Sequence, residues 1–212
     1  MPVESATLVK FVIAMLSIMD PPGAVPMFMA VTAGRSNAEK HRIALVTSLA
    51  VFVTLLLAAL AGKAMLGVFG ITIDDLRIAG GLALLAIGFS MLNAQESPAR
   101  HSPAEQAEGT VKQSPAIVPL AIPLISGPGA IATVIVFADN APGWQGQASI
   151  AACLLVVALV VLITLRLAVP IAGLMGQSGL NVMTRVMGLL LSSIAVGMIV
   201  AGVKGAFPVL AG

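Results

Sequence analysis

Charged side chains are nearly missing from this chain. Lys, Arg, Asp and Glu together supply 9% of its 212 residues, against 58% apolar residues and a mean hydropathy of +1.05. A soluble domain carries about 25% charged residues, so this sequence cannot cover a water-facing surface. Cysteine is represented by Cys153 alone, inside an apolar run. That excludes a disulfide framework and a thiolate metal centre, and the residue reads as a small apolar side chain. The net charge of +2 is spread over scattered residues. Without a basic block or stripe, nucleic acid is excluded as a partner. The start, Met1-Pro2-Val3-Glu4, lacks the basic region of a signal peptide, and no small-residue cleavage site follows. The first apolar stretch is therefore expected to be retained as a span. No phosphate-binding P-loop, His-Glu-x-x-His or Gly-x-Ser-x-Gly pattern occurs, nor any Ser–His pair within the apolar runs. This argues against nucleotide-driven transport and against an intramembrane enzyme. No cofactor and no bound metal are expected.

What the chain has is apolar length. Crossing about 30 Å of hydrocarbon takes roughly 20 helical residues. Six stretches qualify as spans: Leu8 to Thr32, Ile43 to Gly62, Ile78 to Asn93, Ser114 to Ala138, Ala141 to Leu165, and Val186 to Val203. The first contains Lys10 and Asp20. The short run Leu167 to Ile171 extends the fifth span or folds back at the interface. The expected fold is thus an all-α membrane protein of six transmembrane helices. Ala94 to Gln113 is different, with Glu96, Arg100, His101, Glu105, Glu108 and Lys112 among Ser, Pro and Gln. It reads as a flexible linker dividing residues 1–93 from residues 114–212. His101 and His41 read as solvated surface. Loops one, three and five carry Arg35, Lys40, Arg42, Arg100, Lys112, Arg166 and Arg185, whereas the other side has Lys10, Lys63, Arg77 and Lys204. The positive-inside rule then makes the linker cytoplasmic and puts both termini outside.

The two segments resemble each other. Asp20-Pro21-Pro22-Gly23-Ala24-Val25 aligns with Ser126-Gly127-Pro128-Gly129-Ala130-Ile131, and Phe69-Gly70 with Met175-Gly176 at the same offset. Arg77-Ile78-Ala79-Gly80 matches Arg185-Val186-Met187-Gly188 after a two-residue insertion. Each unit has three spans, an odd number, so the second must enter from the opposite side. Inverted repeats of this kind recur in secondary transporters.

The repeated Pro-Gly motifs lie within spans one and four. Proline there removes backbone donors and clashes with the preceding turn. Such a break is tolerated only where protein buries it or a wet cavity adjoins it. Both spans are therefore expected to be interrupted. Asp20 suits the N-cap of a new half-helix with Pro21 at its first position, and Ser126 the equivalent cap. Two helix starts meeting near the midplane would offer free N–H groups and partial positive charge to a carboxylate. Gly23, Gly127 and Gly129 would let a small ligand touch backbone, and Asp20 would face an amine. The candidate substrate-binding residues are Asp20, Pro22, Gly23, Ser126, Gly127, Gly129 and Thr133. The bland alternative is that Asp20 only caps its half-helix, with the breaks purely structural. Arg77 and Arg185 read as interfacial anchors or partners of loop acids, Asp74 and Asp75 as a capping or solvated start of span three. Ser192 and Ser193 read as bonding backbone carbonyls or a neighbouring helix, and Thr133 as packing or lining a cavity.

Ile18-Met19-Asp20-Pro21-Pro22-Gly23-Ala24-Val25-Pro26, Phe69-Gly70-Ile71 with Arg77-Ile78-Ala79-Gly80-Gly81, and Pro119 to Leu124 leading to Gly127-Pro128-Gly129-Ala130 together resemble the MarC-type membrane proteins. The likeness covers nearly the whole chain outside the linker. It implies a six-span inner-membrane protein with outside termini, distantly similar to amino-acid exporters of the LysE type, and a substrate such as glycine or alanine. Family members commonly show Asp-Pro-Ile-Gly at the first break, where this chain has Pro22 in third place. The expected partners are a small neutral amino acid (glycine, alanine or serine) and the lipid bilayer. The coupling ion, proton or sodium, is left open, as is a non-transporting partner subunit.

Overall fold

A computed structural model describes residues 5–93, 125–207 and 209, and every element among them is helical. In chain order these are α1 (Ser5–Met19), α2 (Val25–Val31), α3 (Asn37–Val68), α4 (Ile73–Leu92), α5 (Pro128–Asp139), α6 (Gly143–Arg166) and α7 (Ala168–Ala206). Helices α3, α4, α6 and the Asn181–Ala206 part of α7 are long and apolar enough to cross a membrane. α1 and α5, with 15 and 12 residues, are not. The linker Ala94 to Gln113 and the first part of the expected fourth span lie outside the described residues.

Local chemistry sets the helix boundaries. Ser36 and Glu39 form a capping box at the start of α3, and Thr72 and Asp75 do the same for α4. Gly70 ends α3 with φ of 69°, while Gly70 N–H donates to the Gly67 carbonyl and Ile71 N–H to that of Leu66. This left-handed termination favours glycine. Asp75, and Asp74 through its pairing with Arg77, thus fill the capping and loop-acid roles expected of them. The run after Arg166 does not extend α6. Leu167 breaks the helix at φ −93° and ψ 14°, and a new helix starts at Ala168. That helix bends at Gly176, whose φ of 58° and ψ of −179° are not helical. Arg185 consequently lies inside a helix rather than at the boundary of one.

Contacts distinguish the two ends of the bundle. At one end Lys63 pairs with Asp139, Arg77 donates to Asn140, and a side chain at Gly202 or Gly205 would run into Asp74. At the other end the start of α3 shares a cleft with the α6–α7 junction. α4 and α7 form the most extensive interface, and they run antiparallel. Gly202 meets Asp74, Gly81 meets Ala195, and Gly88 meets Gly188, stepping in opposite directions along the two helices. Glycine at these points brings the backbones close, which lets membrane helices associate through dispersion without a hydrophobic drive. Ser192 and Ser193 donate to the carbonyls of Gly188 and Leu189, so their hydroxyls are satisfied within α7 as expected. Cys153 is buried.

Candidate functional site

The chain between α1 and α2 carries out the break expected from its prolines. Asp20 N–H still closes the last turn of α1 on the Leu16 carbonyl. Asp20 itself then turns to φ 43°, the left-handed region that an acidic or amide side chain tolerates better than a β-branched one. Its Oδ1 accepts a hydrogen bond from Gly23 N–H at 3.2 Å, and its carbonyl accepts from Ala24 N–H. The carboxylate therefore caps a Pro21–Ala24 turn ahead of α2 while being 1% exposed; it is not the N-cap of a helix starting at Pro21, as the sequence suggested, because the helix begins only at Val25. Gly23 has a steric reason as well: a Cβ there would collide with the Asp20 carboxylate. Pro21 is buried and Pro22 half-buried beside it.

The start of α5 is built differently from the expectation, while the first half of the expected fourth span lies outside the described residues. Gly127, not Ser126, is the N-cap of α5, with Pro128 in the first turn and no side-chain cap bond. Gly127 takes φ −61° and ψ 172°. The hydroxyl of Ser126 thus lies one position too early to reach the orphan amides. It is buried and has no hydrogen-bond partner among the described residues. Gly129 also has a different role. The space where its side chain would be is taken by the Leu84 side chain of α4, so the glycine is there for helix packing. Thr133 is fully buried and donates to the Gly129 carbonyl at 2.8 Å, with Met198 Sδ at 3.7 Å. Its hydroxyl serves its own helix. Gly129→Ala is therefore expected to lower the yield of folded protein, and Leu84→Ala in the same chain to restore it. Size-exclusion profiles of the two variants decide this, since a residue needed for ligand contact would show no rescue.

The Asp20 turn and the start of α5 lie at similar distances from one end of the bundle. Lys10 of α1 and Asn140 after α5 line one cavity at the end of the bundle marked by Arg77. From Lys10 to Asp20 the helix climbs about 15 Å, and from Asn140 back to Pro128 about 18 Å, at 1.5 Å per residue. Both distances are near half of a hydrocarbon core. Phe11 of α1 stacks against Phe137 of α5 with ring centroids 4.9 Å apart, which holds the two elements together. The cavity itself has a volume of about 580 Å³. Lys10, Arg77 and Asn140 supply its polar groups, and Ile13, Phe137, Ile194 and Met198 part of its apolar wall. None of the seven residues singled out from sequence lines it, though Met198 joins it to Thr133. Asn140 had no signal in the sequence. Arg77 forms an ion pair with Asp74 at 2.7 Å, the partner role expected for it.

Long apolar helices and glycine-packed interfaces define an all-helical integral membrane protein. The family pattern described as MarC family integral membrane protein matches residues 5–207, and the chain belongs to that family. It is 35% identical over 201 residues to the UPF0056 inner membrane protein MarC of Citrobacter koseri, covering 90% of this chain and 91% of that protein. It is 36% identical to the UPF0056 membrane protein YvbG of Bacillus subtilis, covering 96% and 97% of the two chains. A membrane protein of Pyrococcus abyssi is 37% identical, covering 95% of this chain and 96% of its own length. No solved structure matches.

Proposed function

We propose that this protein is a secondary transporter for small neutral amino acids, glycine, alanine or serine, in the inner membrane. The substrate is held where the Asp20 turn and the start of α5 meet the middle of the bundle, with both termini outside. The observation that carries this reading is the matching level of the Asp20 turn, with its buried carboxylate, and the start of α5, with the buried Ser126 hydroxyl and an open helix start. The first turn of α5 leaves the N–H groups of Gly129 and Ala130 without acceptors in their own helix. Those groups suit the carboxylate of a zwitterion, and Asp20 suits its amine. Pro22, Gly23, Ser126 and Gly127 complete the surround, whereas Gly129 and Thr133 contribute backbone and packing. The cavity from the Lys10–Arg77 end supplies an approach that stops at Met198, beside Thr133. We take the chain to have no enzymatic activity.

Inverted repetition of residues 1–93 and 114–212 underlies this proposal. Three features favour it. The glycines at 70 and 176, equivalent in the sequence alignment, both have positive φ. α3 and α6 start at Asn37 and Gly143, the same offset apart as the Pro-Gly motifs. The antiparallel α4–α7 contact is centred near Leu84 and Ser192, which share the offset of Arg77 and Arg185. Two elements related by an in-plane two-fold axis must cross antiparallel about equivalent positions.

Reconstituted vesicles test the function directly. Vesicles loaded with unlabelled glycine are expected to accumulate labelled glycine transiently above its equilibrium level, and leucine to compete poorly. Absence of counterflow with glycine, alanine and serine alike would leave a non-transporting membrane subunit as the better description.

A further inference from the structure

The end of the bundle opposite Arg77 has a second, smaller cavity of about 240 Å³. The start of α3 contributes Asn37, Lys40 and His41, and the end of α6 contributes Arg166. Phe28, Leu165 and Val169 form an apolar wall to the same cleft. Among the described residues no acidic side chain lines it. The nearest acid in sequence, Glu39, is engaged by the Ser36 amide and hydroxyl at 2.9 and 2.7 Å and points into its own capping box. Among the described residues, two cations, an imidazole and an amide donor therefore converge on a small space. The contrast with the larger cavity is informative, because there Arg77 is neutralised by Asp74.

We propose that this cleft binds a phosphate anion carried on an apolar chain, namely the headgroup of an anionic glycerophospholipid. Lys40 and Arg166 hold the phosphate oxygens, Arg166 in the planar two-point manner open to a guanidinium, with Asn37 and His41 as further donors. The volume accepts a phosphate and its glycerol but not a second large group. Phe28, Leu165 and Val169 take the first carbons of the acyl chains. The cleft joins α2 and α3 to the α6–α7 junction at Leu167, so a bound lipid ties the first half of the chain to the second at one end of the bundle. Both Arg166 and His41 are exposed, and Lys40 is half-buried, so the site is reachable from the headgroup layer.

Arg35 and Arg42 provide the control. They are exposed cations near the same helix start, yet neither lines the cleft. The full-length purified protein is titrated with phosphatidylglycerol, with phosphatidylcholine and with soluble glycerol 3-phosphate, and bound molecules are counted by native mass spectrometry. One phosphatidylglycerol is expected to bind in clear preference to phosphatidylcholine. Lys40→Gln with Arg166→Gln is expected to weaken it roughly tenfold or more. Arg35→Gln with Arg42→Gln should leave binding within about twofold. Helical circular dichroism and a monodisperse elution profile establish that each variant is folded. Binding of glycerol 3-phosphate at the same residues also supports the phosphate site and shows that the acyl chain is dispensable; its failure to bind assigns the source to lipid. Equal binding of the two lipids, or equal losses in the two double variants, would overturn the proposal in favour of a diffuse positive surface.

Discussion

Asp20→Asn is expected to reduce the apparent affinity for glycine in counterflow about ten- to a hundredfold while the protein remains inserted and folded. The capping role of this side chain and its proposed role toward an amine can be separated chemically. The capping bond from Gly23 N–H needs only an oxygen on the side chain, and an amide supplies one. The φ of 43° at this position is one that Asn adopts as readily as Asp. Only the negative charge is removed. A hydrogen bond to a charged group contributes about 1.5–3 kcal/mol, which corresponds to the stated change in affinity. Asp20→Ala would be a poorer test, because it also removes the cap and the tolerance for a left-handed backbone. Unchanged glycine affinity in the Asn variant, at equal abundance in the vesicles, would reduce Asp20 to a structural cap and move the substrate elsewhere.

The largest effect on the fold is expected at Gly188. Its missing side chain faces α4, where a Cβ would lie 2.8 Å from that of Met91, 2.9 Å from the Gly88 carbonyl oxygen and 3.1 Å from the Leu92 nitrogen. Two of those neighbours are backbone atoms and cannot rotate away. Gly188→Val should force α4 and α7 apart along the most extensive interface in the molecule, and severalfold less monodisperse protein should be recovered from membranes. Overpacking in a well-packed core costs about 1–3 kcal/mol even when side chains can adjust, and here they cannot. Gly197→Val, nine residues later in the same helix, should be tolerated, since nothing lies within 4 Å of the position where its Cβ would be. The pair controls for glycine content and helix propensity. Similar yields of the two variants would show that close approach of these backbones does not hold the bundle together.

Much of the architecture was legible before any coordinates. Apolar run length depends on local composition alone, because lipid imposes one requirement on every residue in a span. Four helices accordingly fall on the expected stretches, although their ends differ by several residues. The break at Asp20 was equally legible, since two prolines and a glycine disrupt a helix through their own covalent structure.

Other features depend on which elements become neighbours. Ser126 has the chemistry of a helix cap, but the helix starts at Gly127 and leaves the hydroxyl behind, a difference of one residue that composition cannot reveal. Gly129 reads in the sequence as bare backbone, but only the fold shows that Leu84, 45 residues earlier, fills the space where its side chain would be. Lys40 and Arg166 are unremarkable loop cations in the sequence, and only the packing of α3 beside the end of α6 makes them a cluster. The sequence by itself therefore determined that the chain is helical, membrane-embedded and broken at Asp20, because those properties follow from solvation and backbone covalency within a few residues. Tertiary structure alone decided which glycines serve packing, which cations converge and where cavities remain, because those depend on distances between residues far apart in the chain.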